Sequence, residues 1–363
     1  MDPSLSICIP TYNRAEFIGD CLESIIPQLT DQMEIVVLDG ASRDRTSEVV
    51  EAYRNRCPAI RYVRLNTNRG VDEDILEVVD LARSDYCWLM SDDDLIGHGA
   101  VEHVRQRLRQ HQNLAGASLN SIAFDRTMSY PVRTVTAISR GRISADHLFQ
   151  DREECFRQLG VHFGYLSAQI VSRGLWHEVV RNSDLKPYKG TCWILVYMIG
   201  CMLQRNPNWL YIHHPCVRNR TGNDSFIERL GTLNRQLVTH ESYATVLYGL
   251  FDKSGAVSHQ VRETLLADRM PRTLANTKAN GVSWSVQVQL LKLYTRLYWR
   301  HVTYWWKVLP LFFVPNQVFR IVRSLYMRIK SRRRARNRGN NEYRIREPSS
   351  PRPNGESEFE RER

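Results

Sequence analysis

Residues 33–44 read MEIVVLDGASRD. Six mostly aliphatic residues lead into an acid and an Asp39-Gly40 step, which is turn chemistry. A short apolar run without polar alternation suits a strand buried on both faces, as in a parallel sheet. Toward the N-terminus, Leu5 to Ile9 has the same character and stops at Pro10. Between the two runs Phe17, Ile18, Cys21, Leu22, Ile25 and Leu29 recur at helical spacing. Toward the C-terminus the pattern predicts a helix over Ser47–Tyr53, a strand over Ile60–Leu65, a helix over Ile75–Ala82 and a strand over Tyr86–Met90. This βαβαβαβ alternation predicts an α/β fold with a doubly wound, mainly parallel, Rossmann-like sheet. Its ligand crevice would lie across the C-terminal strand ends.

Three loops leave strands at that edge: Pro10 to Arg14 (PTYNR), Asp39 to Asp44 (DGASRD), and Ser91 to Asp94 (SDDD). Adjacent carboxylates raise one another's pKa unless something positive sits among them. Asp92, Asp93 and Asp94 therefore mark either a solvated acidic loop or helix cap or a cation site, and the strand-end position favours the cation. Carboxylate oxygens suit hard ions such as Mg²⁺ or Mn²⁺. Neither GxGxxG nor GxxxxGK[ST] is present, which disfavours a glycine-rich phosphate turn. A nucleotide whose diphosphate is neutralised by a metal stays compatible.

The 363 residues are 42% apolar and 25% charged, ordinary for a globular chain. The eight cysteines form no CxxC pair and sit mostly in apolar runs, as reduced buried thiols do. MDPSLSICIPTYNR lacks the basic start and apolar core of a signal peptide. A cytoplasmic location is expected. The net charge of +11 would suit a nucleic-acid binder, but sixteen Lys or Arg and no acid lie between Arg269 and Asn341, leaving residues 1–268 net negative. The basicity belongs to a C-terminal appendage, and no nucleic-acid partner is expected. From Trp284 to Arg338 aromatics interleave with basic residues, and Lys307, Pro310 and Pro315 interrupt the best apolar candidate for a membrane span. An amphipathic segment lying on an anionic membrane surface fits better; an RNA-binding tail and a self-packing helix pair are the rivals. Trp193–Leu203 is apolar but too short to cross a bilayer, so it reads as a core helix.

In order, SICIPTYNR, VVLDGASRDRT, NRGVD and the strand ending in SDDD resemble the nucleotide-binding half of family 2 glycosyltransferases with the GT-A fold. NRGVDEDILEVV and YCWLMSDDD are most similar to bacterial O-antigen sugar transferases of the abequosyltransferase type. The resemblance covers about residues 4–110, weakens to about 225 and ends there. It implies an inverting transferase moving a sugar from a nucleoside diphosphate to a saccharide or lipid-linked acceptor in cell-surface polysaccharide synthesis. Pro10, Thr11, Tyr12 and Arg14 then match the nucleoside loop, and Asp39 the acid that contacts the base. Asn68, Gly70 and Asp72 fall in the segment near base or ribose. Asp92 and Asp93 match donor-binding positions, and Asp92 with Asp94 the metal ligands of a DxD-type element holding Mn²⁺ or Mg²⁺. Arg218 and Arg220 would pair phosphate oxygens, with His213 completing the metal shell.

An inverting displacement needs a general base. The family's acid opens a helix about ninety residues beyond the DxD element, but the matching helix here is preceded by Lys189, Gly190, Thr191 and Cys192. Asp184 is the nearest carboxylate and the candidate; Asp94 or an acid between Asp146 and Glu154 are alternatives. The expected organisation is a GT-A domain over 1–225, with a nucleotide half at 1–110 and an acceptor half at 111–225. A helical basic-aromatic membrane-associating region at 226–336 and a disordered tail at 337–363 follow, placing the protein at the inner face of the plasma membrane. A catalytically inactive scaffold and a sugar-nucleotide nucleotidyltransferase are the rival readings.

Overall fold

The computed structural model describes residues 4–135, 143–223 and 225–325. The expected tail at 337–363 and the basic run IKSRRRARNR lie outside the described residues.

The first half follows the apolar pattern closely. Strands β1 (Leu5–Thr11), β2 (Met33–Asp39), β3 (Ile60–Arg64) and β4 (Tyr86–Leu89) alternate with helices α1 (Ile18–Ile25), α2 (Thr46–Arg54) and α3 (Val71–Leu81). Helix α1 gives way to a 3₁₀ turn over Ile26–Gln28 at Pro27, whose missing N–H cannot continue the α ladder. The strands pair in parallel in the order β3-β2-β1-β4. Register pairs Thr11 with Asp39 and Asp39 with Arg64, so the loops after β1, β2 and β3 leave from one edge.

Beyond β4 come β5 (Leu95–Ile96), α4 (Ala100–Gln110), β6 (Gly116–Phe124), β7 (Pro131–Val135), β8 (His147–Phe149), α5 (Arg152–Leu159), β9 (Gln169–Ser172), α6 (Arg173–Asn182), α7 (Ile194–Arg205) and β10 (Trp209–Arg220). The sheet continues β4-β9-β6-β10-β5, with β7 paired to β6 and β8 to β10. Here the expectation of a mainly parallel sheet is corrected: β9 runs antiparallel to both β4 and β6, and β10 antiparallel to β5 and β8. The reason is local. The 3₁₀ turn Leu166–Ala168 is anchored at the C-terminal end of β4, where the Trp88 indole donates to the Ser167 carbonyl and the Ser91 N–H to the Ser167 hydroxyl. A strand leaving that turn can only run back along β4.

Alternation within the strands divides the core between the two faces of the sheet, as a period of two requires. Ile7, Ile9, Ile35, Val37, Trp88 and Met90 pack toward α1 and α4. Cys8, Val36, Leu38, Cys87 and Leu89 pack toward α3, α5, α6 and α7. Helix α7 is buried on nearly every side, as its apolar composition predicts. After β10 follow α8 (Ser225–Leu237), α9 (Tyr243–Leu250), α10 (Ala256–Thr264), α11 (Met270–Ala279), α12 (Trp284–Tyr298) and α13 (Leu309–Phe313). Helices α9 and α10 place Tyr243, Val246, Leu247, Val257 and Val261 in the core beside α7 and α5, so the first of these helices are continuous with the α/β unit. Leu266, Met270, Leu290, Tyr294, Tyr304 and Phe312 form a separate cluster among the later helices. None of the helices in the described residues is long and apolar enough to cross a membrane.

Candidate active site at the strand ends

The three-aspartate run is built into the protein in three different ways. Asp94 is buried, and its carboxylate accepts from four donors: the Tyr165 hydroxyl at 2.8 Å and Ser167 hydroxyl at 2.6 Å on Oδ2, the Asn219 amide at 3.2 Å and the Arg220 backbone N–H at 2.8 Å on Oδ1. Asp93 accepts from the Ser91 hydroxyl and the Asn223 amide. Asp92, also buried, has Arg14 Nε at 3.4 Å from Oδ1, and Arg14 Nη2 lies 3.6 Å from Asp93 Oδ2. Burial first, and then the charge of Asp93, push the carboxyls of Asp92 and Asp94 up to about 7.

Part of the positive charge the sequence calls for is therefore supplied by the chain. Arg14 faces Asp92 and Asp93, and Arg220 sits behind them. The Arg220 guanidinium donates from Nε to the Asp93 carbonyl at 2.8 Å, from Nη1 to the Arg126 carbonyl at 2.6 Å and from Nη2 to Asp20 at 2.8 Å, and lies over the Phe17 ring. This corrects the phosphate-pairing role expected of Arg220. Its donors are engaged by protein oxygens, and only 6% of the residue is exposed.

A second cluster occupies the end of β2. Asp39 is fully buried; Oδ1 accepts the Ser42 N–H and Oδ2 the Tyr62 hydroxyl, both at 2.7 Å, with Arg64 Nε 3.7 Å from Oδ2. Beside it lies Asp74, unremarked in the sequence because it reads as one of three acids in the first turn of α3. Its Oδ1 is buried without a hydrogen-bond partner, and Oδ2 sits so close to Gly40 that a Cβ there would approach it to 2.7 Å. Burial lifts the Asp74 carboxyl to about 6. Pro10 and Thr11 end β1 next to this cluster, where the Gly40 N–H donates to the Thr11 carbonyl at 2.9 Å; Tyr12 is half-buried in the loop that follows.

Other expected site residues are placed elsewhere or do other work. Asp72 caps α7: its carboxylate accepts the Cys192 N–H at 2.8 Å and the Ile194 N–H at 3.2 Å, which removes it from the ribose role. Asn68 is exposed and closes its own turn on the Gly70 N–H, and Gly70 takes a φ of 92° before α3 that a side chain would strain. His213 is not near the aspartates. It lies seven residues before Arg220 on β10, beyond the register shifts at Pro215, with its N–H on Asp146 and its ring beside Tyr211. Arg218 lies on β10 over the Phe124 ring, half-buried. Asp184 is exposed and caps the turn before Pro187 through the Lys186 N–H at 3.0 Å, so it stands in a surface turn rather than among the strand-end acids. His213, Arg218 and Arg220 all lie on one strand, β10.

The donor set also decides which acids fit a divalent cation. All four donors on Asp94 compete with an ion for its lone pairs, so its expected ligand role gives way to a positioning one. Asp92 has one guanidinium at the edge of hydrogen-bond range and a strongly raised pKa, the condition a cation would relieve. Asp92, and Asp93 with two hydrogen-bond donors against the four on Asp94, are the acids left to meet a metal.

Buried acids thus stand at the ends of β2 and β4, in a sheet of order β3-β2-β1-β4. Residues 6–177 match the model of glycosyl transferase family 2, so the chain carries a glycosyltransferase domain of this family. Among individual proteins it is similar to the abequosyltransferase RfbV of Salmonella typhimurium, at 29% identity over 285 residues that cover 73% of this chain and 80% of that one. Two solved structures share the fold. Staphylococcus aureus TarS 1–349 in complex with UDP-GlcNAc superposes with a TM-score of 0.56 at 13% identity over 82% of each chain. The mannosyltransferase PcManGT from Pyrobaculum calidifontis, in complex with GDP-Man and Mn²⁺, does so with a TM-score of 0.51, 13–14% being the range of identity for both, over 88% of this chain and 87% of that one.

Proposed function

We propose that this chain transfers a sugar from a nucleoside diphosphate to a saccharide or lipid-linked acceptor in bacterial surface-polysaccharide synthesis of the O-antigen kind, inverting the anomeric centre in one displacement. The observation that carries the reading is the convergence of Arg14, Asp39, Asp92 and Asp93 at one edge of the sheet. The base is received beside Thr11 and Tyr12, at the end of β2 where Asp39 holds the Ser42 N–H and the Tyr62 hydroxyl. Arg14 stands where a diphosphate would need a cation, between the nucleoside loop and the aspartates. A divalent ion held by Asp92 and Asp93 would stabilise the charge on the departing nucleoside diphosphate. Mn²⁺ in the mannosyltransferase structure and UDP-GlcNAc in the TarS structure support this donor chemistry.

The acceptor side faces a membrane in this reading. Trp284, Trp299, Trp305, Trp306 and Phe313 are exposed, and over the helical residues 316–325 Val318, Ile321, Val322 and Leu325 repeat at i, i+3, i+4, i+7 and are all exposed. Arg320 and Arg323 flank that stripe in a stretch without acids, the composition of a helix that rests on anionic lipid. A thermal-shift panel of UDP-, GDP-, CDP- and dTDP-sugars with and without Mn²⁺ tests the donor reading. One nucleotide class should raise the melting temperature through preferential binding to the native state, with the shift lost in Arg14→Ala. No shift with any of them, alongside no donor hydrolysis, would remove the transferase reading.

A further inference from the structure

We infer that His259, Glu263 and His301 form a second metal site, remote from the strand-end acids and suited to Zn²⁺. His259 and Glu263 are one turn apart on α10 and so share a face. His301 reaches them from the turn after α12, where its ring Nδ1 contacts Glu263 Oε1 at 2.6 Å. One ligand atom from each of the three lies within 4.8 Å of the other two. A tetrahedral Zn²⁺ with bonds of about 2.0–2.2 Å needs its ligand atoms about 3.3 Å apart. Binding an ion would turn the exposed His259 side chain inward and open the Glu263–His301 pair from its 2.6 Å contact. Two imidazoles and one carboxylate are a ligand set of zinc and its neighbours rather than of magnesium or calcium.

The three groups are held together by their surroundings. The His259 and His301 rings stack at 4.8 Å and 23°. His301 is buried, with its Nδ1 turned to Glu263. The turn is already fixed in place: Arg262 reaches the Leu297 carbonyl and lies over the Tyr298 ring. On its other side Glu263, with Thr303, borders a surface cavity of about 420 Å³. The ion would clasp the aromatic stretch that begins at Trp299 to α10, and α10 in turn is part of the core of the α/β unit.

The experiment uses the tag-free full chain, stripped with EDTA, dialysed and titrated with Co²⁺ and then Zn²⁺. One equivalent of Co²⁺ should give visible d–d bands that Zn²⁺ abolishes. His259→Ala, at an exposed position, should weaken binding by more than the about tenfold that loss of an outer-shell partner costs, with an unchanged circular dichroism spectrum. Glu263→Gln should do the same. The inference fails if no bands appear or if His259→Ala binds as tightly as the parent. It also fails if Asp92→Asn removes the bands while His259→Ala keeps them, which would place the ion at the strand ends. Loss of sugar-donor binding alone would touch the transferase reading and leave this one standing.

Discussion

Replacing Asp92 by Asn should stabilise the fold while destroying its donor chemistry. The carboxyl rises from 3.8 to about 7 on folding, and each tenfold in proton affinity corresponds to about 1.4 kcal/mol. The native state thus holds this proton more tightly than the unfolded chain. The penalty grows as pH climbs from the unfolded value toward 7, and is complete above it. Folding with Asp92 should cost about 4 kcal/mol at pH 8, where it is ionised, and under about half of that at pH 5, where the folded protein takes up a proton there. Asn removes the charge but also the 3.4 Å contact with Arg14, and part of the shift is repulsion shared with Asp93, so a gain of about 2 kcal/mol at pH 8 is expected. Urea unfolding in EDTA at pH 5 and pH 8, with equal slopes for parent and variant, measures it. Asp94→Asn is the control. Its carboxyl is raised equally, but an amide nitrogen cannot accept from the donors now on one of its oxygens, and stranded donors cost about 1–3 kcal/mol each. A destabilised Asp92→Asn protein at pH 8, or a gain that does not depend on pH, would refute the account of the site as undercompensated acid.

Asp94→Ala leaves Tyr165, Ser167, Asn219 and the Arg220 N–H without their acceptor and should lower stability by about 3 kcal/mol or more in the same urea assay. Asp72→Ala should remove about 1–2 kcal/mol of capping, seen as faster hydrogen exchange at the Cys192 and Ile194 amides with little change in β1. Gly116→Ala would bring a Cβ to 2.3 Å from the Ile170 carbonyl, so thermal unfolding should show a loss of about 3 kcal/mol as β6 and β9 separate.

The first half of the fold is legible because its strands are buried on both faces and its helices repeat at 3.6 residues; Ile35 and Val36 pack on opposite sides, and both must be apolar. The second half is not, because β9 takes its direction from contacts of Ser167 with Trp88 and Ser91, more than seventy residues away. The same distance hides the partners of the aspartates. Arg14 is in a loop already singled out, whereas Tyr165, Asn219 and Arg220 meet Asp94 only in three dimensions. A buried, fully engaged arginine such as Arg220 and one free to bind phosphate look alike in sequence. Asp74 is concealed differently: three acids in the first turn of a helix are ordinary dipole chemistry, and nothing local says that one of them faces inward beside Asp39. His259 and Glu263 show helical spacing in the sequence, but His301 joins them only through the turn after α12.

The carboxylate of Asp72 starts a helix 120 residues further along the chain. Because α7 is buried on nearly every side, the chain after α4 depends on a side chain donated by the chain before it. A chain cut between α4 and β6 should therefore regain its α7 signal only when both pieces are mixed, and an N-terminal piece offered with Ala at position 72 should be the poorer complement.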